Sequence, residues 1–221
     1  MTIKRTLRGL LDRGDFEQIA EMATHKKRLL GTLVSLTFDA DPQITWRAVE
    51  AMGMAAGRIA HDDPQHVRNH LRRLHWLLSE ESGGLCWRAP EAMAEIVRCD
   101  PNLFADYVPI VMALILNMAE EDLDHFRAGT LWAMGRLAAV AGDHAHDVLP
   151  AITAALDDPD PQVRGMAIWC LGQMGHKKIL TDRLHLLGDQ RPVDLYEDRS
   201  LGRTSVCRLV RRALGSEPAR E

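Results

Sequence analysis

Several groups of residues in this chain have side chains and spacings that could do chemistry. His66 and His70 lie four residues apart, the interval that puts two imidazoles on one helix face, and His75 follows, so metal binding is the first chemistry to weigh. No His-Glu dipeptide accompanies them and no third ligand is evident. A polar helix edge with one or two packed histidines accounts for the spacing, and no metal site is assigned. Cys86, Cys99, Cys170 and Cys207 are far apart with no C-x-x-C pair, which points to buried thiols in a reducing compartment rather than disulfides or zinc ligands. His25-Lys26-Lys27-Arg28 could meet phosphates, but it reads as a solvated helix start. The fourth group is an acidic and aromatic stretch: Trp76, then Glu80-Glu81-Ser82-Gly83-Gly84, then Trp87-Arg88, then Glu91 and Glu95. The two glycines leave a nearly bare backbone able to take positive φ, and carboxylates beside indole faces can hold a cationic group. The alternative is structural, a local register change with an Arg88 to Glu91 pair on one helix. The phosphate-binding, dinucleotide-binding and nucleophile-elbow patterns G-x-x-x-x-G-K-[ST], G-x-G-x-x-G and G-x-S-x-G are missing, so no catalytic residue and no cofactor is assigned.

The elements that position these residues recur. An arginine returns at Arg47, Arg88, Arg127, Arg164 and Arg203, with spacings of 41, 39, 37 and 39 residues. Trp46-Arg47-Ala48-Val49-Glu50-Ala51-Met52 and Trp87-Arg88-Ala89-Pro90-Glu91-Ala92-Met93 differ little, and residues 127–135 and 164–172 share a second plan. A period near 39 residues holds two helices of about 14 residues and two short turns. Val163, Met166, Ala167, Cys170, Leu171 and Met174 form one apolar helix stripe, which a lone helix pair cannot bury. Stacking successive pairs hides it. Each marker arginine, placed in the first helical turn, opposes the helix dipole and needs an anionic or carbonyl partner. Acidic residues precede the markers at Asp41, Glu81, Asp122 with Asp124, Asp158 with Asp160, and Asp198, so the five arginines are expected to form a structural ladder. Aligning on the arginine places Glu91 opposite Ala167 and Glu95 opposite Leu171, on the apolar stripe, where a charge needs a partner or water.

The pattern D-P-D-P-x-V-R followed by A-x-x-x-L-G-x-x-G at 157–175 resembles the HEAT repeat, in the variant named after phycobilisome lyases. The likeness is good at 121–137, looser at 39–59 and 80–98, and weak at 197–214. The Glu-Ser-Gly-Gly turn with its Trp-x-Ala-Pro-Glu follow-on is similar to HEAT-like proteins of microbial origin. The resemblance implies an all-α, right-handed α-α superhelix of about five helix-pair repeats, acting as a non-catalytic protein-interaction or scaffold module. On that expectation the acidic, Trp-containing surface from Trp76 to Glu95 holds a basic or flexible segment of a partner protein. The alternative it leaves is an enzyme-related protein, similar to the HEAT-like DNA alkylation-repair glycosylases or to phycobilin lyases.

Charge order bears on that alternative. Residues 1–75 hold 12 basic and 9 acidic residues, 76–163 hold 4 and 15, and 164–221 hold 11 and 7. The acidic centre argues against a duplex nucleic-acid groove, which needs a basic stripe. At 46% hydrophobic and 5% aromatic, without sustained alternation, the chain reads as helical throughout. No run of ~18 apolar residues marks a membrane span, and no apolar run of signal-peptide length follows the basic residues of 1–13. A soluble, cytoplasmic protein is expected.

In chain order, the sequence predicts irregular helices over 3–37 (3–13, 16–23 and 26–37), with Gly14 stopping the first and Asp15 capping the second. Repeats open near 39, 80, 122 and 157, with first-repeat helices at 42–60 and 64–79 and an apolar helix at 102–119 carrying Pro109 in or near its first turns. Trp132 and Trp169, at equivalent positions of two repeats, read as stacked core. Residues 188–200 read as a long loop, 201–214 as a capping helix, and 216–221 as a frayed tail, giving one domain over 1–215.

Overall fold

The structure, a computed structural model, describes residues 2–78, 88–116, 118 and 124–215. Its helices start where the sequence carries local stop and start chemistry. Gly14 ends α1 (Ile3–Arg13) at φ 70°, a left-handed conformation that glycine adopts without a side-chain clash. Asp15 opens α2 (Phe16–His25), which is followed by α3 (Leu29–Leu36). At α4 (Pro42–Asp62) the Asp41 carboxylate accepts a hydrogen bond from the Gln43 amide at 2.9 Å, and Pro42 occupies the first turn, where no backbone donor is needed. Asp63 and Pro64 repeat the device at α5 (Pro64–Trp76), as Asp160 and Pro161 do later. After the undescribed stretch, α6 (Ala89–Cys99) carries Pro90 in its first turn.

The chain divides into two compact units. The first comprises Met1–Tyr107 with Tyr196–Leu201, the second Val108–Leu195 with Gly202–Glu221. In the first, α4 packs against α2 on one flank and α6 on the other, so the leading helices of successive pairs stand side by side. α6 packs against both α4 and α5, and Ala89 to Val97 are all buried. The approach of α4 to α6 depends on Gly53, where an added Cβ would sit 2.5 Å from the Glu95 carbonyl oxygen. Gly53→Ala is therefore expected to destabilise the chain, because overpacking of about 1–3 kcal/mol against a backbone atom outweighs the ~1 kcal/mol that alanine gains over glycine within a helix. Gly57→Ala, whose Cβ would meet only the Cys99 side chain at 3.5 Å, is the control. Urea midpoints should fall for the first and hold or rise for the second; equal midpoints would refute the close-approach argument.

The second unit repeats the plan. It contains α7 (Val108–Ala113), α8 (Arg127–Arg136), α9 (His144–Ala154), α10 (Pro161–Gln173), α11 (Lys177–Thr181) and α12 (Val206–Ala213), with α10 packed between α8 and α12. Trp132 and Trp169 stack at 6.1 Å with planes 7° apart, and Trp132 is fully buried, so the pair belongs to the core.

Three expectations are corrected. The apolar segment expected as one helix over 102–119 is a 3-10 turn at Ala105–Tyr107 followed by the short α7, with Pro109 as its second residue. The expected loop at 188–200 contains β1 (Pro192–Glu197), and the expected capping helix at 201–214 starts instead at Val206, because β2 (Ser200–Ser205) pairs with β1 in a two-stranded hairpin. The marker Arg203 consequently lies on a strand and not inside a helix. Apart from this hairpin the described elements are all helical, and within each unit the leading helices of successive pairs pack side by side. Among the described residues, no helix is long and apolar enough to cross a membrane.

Candidate functional site

Glu91 and Glu95 lie one turn apart on α6, and the enclosure of that helix leaves them 0% and 2% exposed. Each receives one guanidinium: Arg88 Nη1 donates to Glu91 Oε1 and Arg98 Nη2 to Glu95 Oε2, both at 2.8 Å. The second carboxylate oxygen of Glu91 has no hydrogen-bond partner among the described residues, and burial pushes this carboxyl above the usual range although the Arg88 charge opposes the shift. Arg88 also lies over the Trp46 ring, 4.2 Å from its centroid. Trp46 stacks in turn on Tyr196, at 5.3 Å with planes 6° apart, and the Tyr196 hydroxyl donates to Glu50 Oε2 at 2.6 Å. Burial first, and then the hydrogen bond to Glu50, raise the Tyr196 phenol well above its ordinary value. The first unit thus holds a continuous chain of contacts, Glu91 to Arg88 to Trp46 to Tyr196 to Glu50.

Of the residues expected to face a partner, Glu80, Glu81, Ser82, Gly83, Gly84 and Trp87 lie outside the described residues, as does Cys86. Trp76, at the end of α5, is 57% exposed and Arg88 is half-buried. Glu91 and Glu95, expected to contribute to the partner-binding surface, are both buried, on a helix packed against α4 and α5. Trp46, Glu50, Tyr196 and Gln43 were not singled out. The shared Trp-Arg-Ala of repeats 1 and 2 was a signal for Trp46, whereas nothing in the spacing links it to Tyr196.

Of the marker arginines, Arg127 and Arg164 bond both the segment before and the segment after their own helix. Arg127 pairs with Asp124 and, at 2.5 Å, with Asp158 at the opening of α10. Arg164 donates to the Asp158 carbonyl and, at 2.9 and 3.1 Å, to the Asp189 carboxylate beyond its own helix pair. Arg47 instead donates backwards to the carbonyls of Leu11 and Asp12 at 2.8 and 2.7 Å, ending α1. Its expected partner Asp41 is occupied as a helix cap. The reason is register: Arg47 stands six residues after its cap, Arg164 four after Asp160. Arg203 pairs with Asp194 across the hairpin at 2.8 Å, not with Asp198.

Elsewhere, His66 Nε2 lies 3.3 Å from the Lys27 carbonyl, and burial depresses His70 to about 4. Among the described residues, no group of three or more His, Cys, Asp or Glu is gathered as metal ligands. Cys99, Cys170 and Cys207 are free thiols, and burial pushes Cys170 far up. An open hollow in the second unit is lined by Asp158, Arg164, His185, Asp189 and Arg191, among other residues, and the Arg164 and Arg191 pairs with Asp189 tie its walls together.

Residues 124–174 match the family model of the HEAT-like repeat. An uncharacterized protein of Archaeoglobus fulgidus is 23% identical over 180 residues, covering 80% of this chain and 91% of that one. Among solved structures, the chain is similar to a computationally designed armadillo repeat protein for modular peptide recognition, with TM-score 0.45, 17% identity, and 96% and 98% of the two chains covered. A designed armadillo repeat protein in complex with the peptide (KR)4 gives TM-score 0.48 at 16% identity, covering 97% and 99%. An archaeal HEAT-like repeats protein from Thermococcus onnurineus NA1 gives 0.43 at 19% identity, covering 100% and 84%.

Proposed function

We propose that this HEAT-like repeat protein is a non-catalytic protein-interaction module that holds a basic or flexible segment of a partner protein. The observation that supports it is how the polar residues at the helix starts are used. Arg127, Arg164 and Arg88 are committed to neighbouring segments and to buried carboxylates, and so hold the stack together rather than ring a reaction chamber. The proposed contact surface is the exposed Trp76 with the 80–87 stretch and Arg88, backed by the acidic surplus of residues 76–163. Glu91 and Glu95 are buried and hold Arg88 and Arg98 respectively.

A labelled peptide of alternating lysine and arginine tests this by fluorescence anisotropy on the full chain. Binding is expected to weaken with salt, as exposed charges are screened over about 8–10 Å at ordinary ionic strength. The triple variant Trp76→Ala, Glu80→Gln, Glu81→Gln is expected to lose at least about tenfold in affinity, or ~1.4 kcal/mol, while keeping its helical circular dichroism. Unchanged affinity would remove this stretch from the binding surface, and no binding by the wild-type chain would overturn the basic-segment reading.

A further inference from the structure

The tip of the hairpin, Tyr196–Leu201, belongs by its contacts to the first unit, far from it in sequence. The two residues between the strands, Asp198 and Arg199, have φ 50° and 62°. Positive φ at both central positions is the two-residue turn that favours Asn-Gly, because an L side chain is crowded there. Here neither residue is glycine. Such a conformation persists only where its surroundings over-determine it, and such positions cluster at clamps and switches.

The surroundings are specific. The Gln43 side-chain amide reads the tip's main chain in both directions, donating from Nε2 to the Arg199 carbonyl at 2.9 Å and accepting at Oε1 from the Leu201 N–H at 2.8 Å. A neighbouring strand would offer the same pair. Arg47 Nε adds a second donor to the Arg199 carbonyl at 3.2 Å. Tyr196 is 2% exposed, stacked on Trp46 with its hydroxyl on Glu50. The Arg199 guanidinium lies 4.6 Å from the Phe16 ring centroid, with Nε 3.5 Å from Glu50 Oε1. The glutamine device occurs twice. In the second unit Gln162, like Gln43 the second residue of a helix opened by Asp-Pro, donates to the Asp194 carbonyl at 2.8 Å and accepts from its N–H at 2.9 Å. A capped helix start that aims a glutamine at main-chain groups is thus a built backbone reader in this chain, on a strand at Gln162 and on the turn at Gln43, where it is combined with an aromatic anchor and a carboxylate.

We infer that Gln43, Trp46, Arg47 and Glu50 form a binding site for a turn-forming peptide of a partner protein carrying a tyrosine three residues ahead of an arginine, and that the hairpin tip is its displaceable built-in occupant. Main-chain bonds to the turn supply affinity, and the tyrosine and arginine supply specificity. The inference rests on the protein-binding reading above and adds a second surface with a defined ligand class. The two tests use different peptides and different variants, so the failure of this one leaves the basic-peptide test standing, and the converse also holds.

The test opens the site in the full chain with Tyr196→Ser and Arg199→Gly. The glycine eases the turn, so the strands can stay paired while the tip loses its grip. The probe is a labelled synthetic peptide with the sequence of residues 192–205. The opened chain is expected to bind it at least tenfold more tightly than wild type, and to lose that gain when Glu50→Gln and Gln43→Ala are added. A peptide with serine for its tyrosine and glycine for its arginine is expected not to bind. No binding by an opened chain of wild-type helicity, or equal binding by wild type, would overturn the proposal. Amide hydrogen exchange on the wild-type chain keeps it falsifiable should the variant misfold: the Leu201 amide is expected to exchange at least tenfold faster than those of Ala48 to Met52 in α4, and exchange as slow as theirs would show that the tip does not release. Concentration-dependent dimerisation of wild type that the peptide reverses would identify a second copy's hairpin as the occupant and overturn the foreign-partner reading.

Discussion

Arg164→Ala is expected to lower the stability of the chain by about 1–3 kcal/mol, the cost of taking the donor from buried acceptors, while Arg191 still pairs with Asp189. Arg164 is 4% exposed and the Asp189 side chain that it bonds is 8% exposed. The substitution takes a donor from two acceptors, the Asp158 carbonyl and part of the Asp189 carboxylate. A urea titration should show a lower midpoint with an unchanged slope. A midpoint within error of wild type would mean that Asp189 is satisfied without Arg164. The same carboxylate carries a pH signature. Hydrogen bonds from the Arg191 side chain, then from its backbone N–H and from Arg164, hold Asp189 at about 2 against the opposing effect of burial. Its pKa is depressed in the folded chain, so its contribution is present above the ordinary carboxylate value of about 3.9 and is lost as pH falls towards 2. Unfolding midpoints measured across that window are expected to fall in wild type and to fall less in Asp189→Asn.

Trp132→Ala is expected to cost about 3–5 kcal/mol, the range for emptying a large aromatic site in a packed interior. Trp132 is fully buried, lies face to face with Trp169 and has the Arg136 guanidinium 5.2 Å from its ring centroid. The neighbouring helix cannot collapse into the void, because the Trp169 ring already rests where a side chain on Gly135 would stand. Trp132→Phe keeps most of the stack and is expected to lose less than half as much. Equal losses for the two substitutions, read by denaturation, would show that ring contact is not what the site contributes.

Local chemistry was the part most legible in the sequence. The Asp-Pro pairs at 41, 63 and 160 each open a helix because a cap acts within three residues and needs no tertiary context. The apolar stripe of repeat 4 placed Glu91 and Glu95 at interior positions, and both are interior. Their enclosure depends on α4, which no spacing within 80–98 reveals. The hairpin was missed for a physical reason. Its turn is Asp198-Arg199, without the Asn or Gly that advertises a two-residue turn, and β1 offers only Val193 and Leu195 as a short alternation. Once the turn went unread, Arg203 fell into line with the helical arginines by distance along the chain alone. The stack of Trp46 on Tyr196 joins residues 150 positions apart and is a property of the folded chain only.

That the first unit is completed by residues 196–201 sets a schedule for its assembly on the ribosome. At about 5–20 residues per second, roughly 5–20 s separate the emergence of Tyr107 from that of Leu201. Throughout that interval the nascent chain presents the indole face of Trp46 and the Glu50 carboxylate with no tyrosine to cover them. Newborn molecules are therefore the population in which this surface is open to chaperones and to cotranslational ligands.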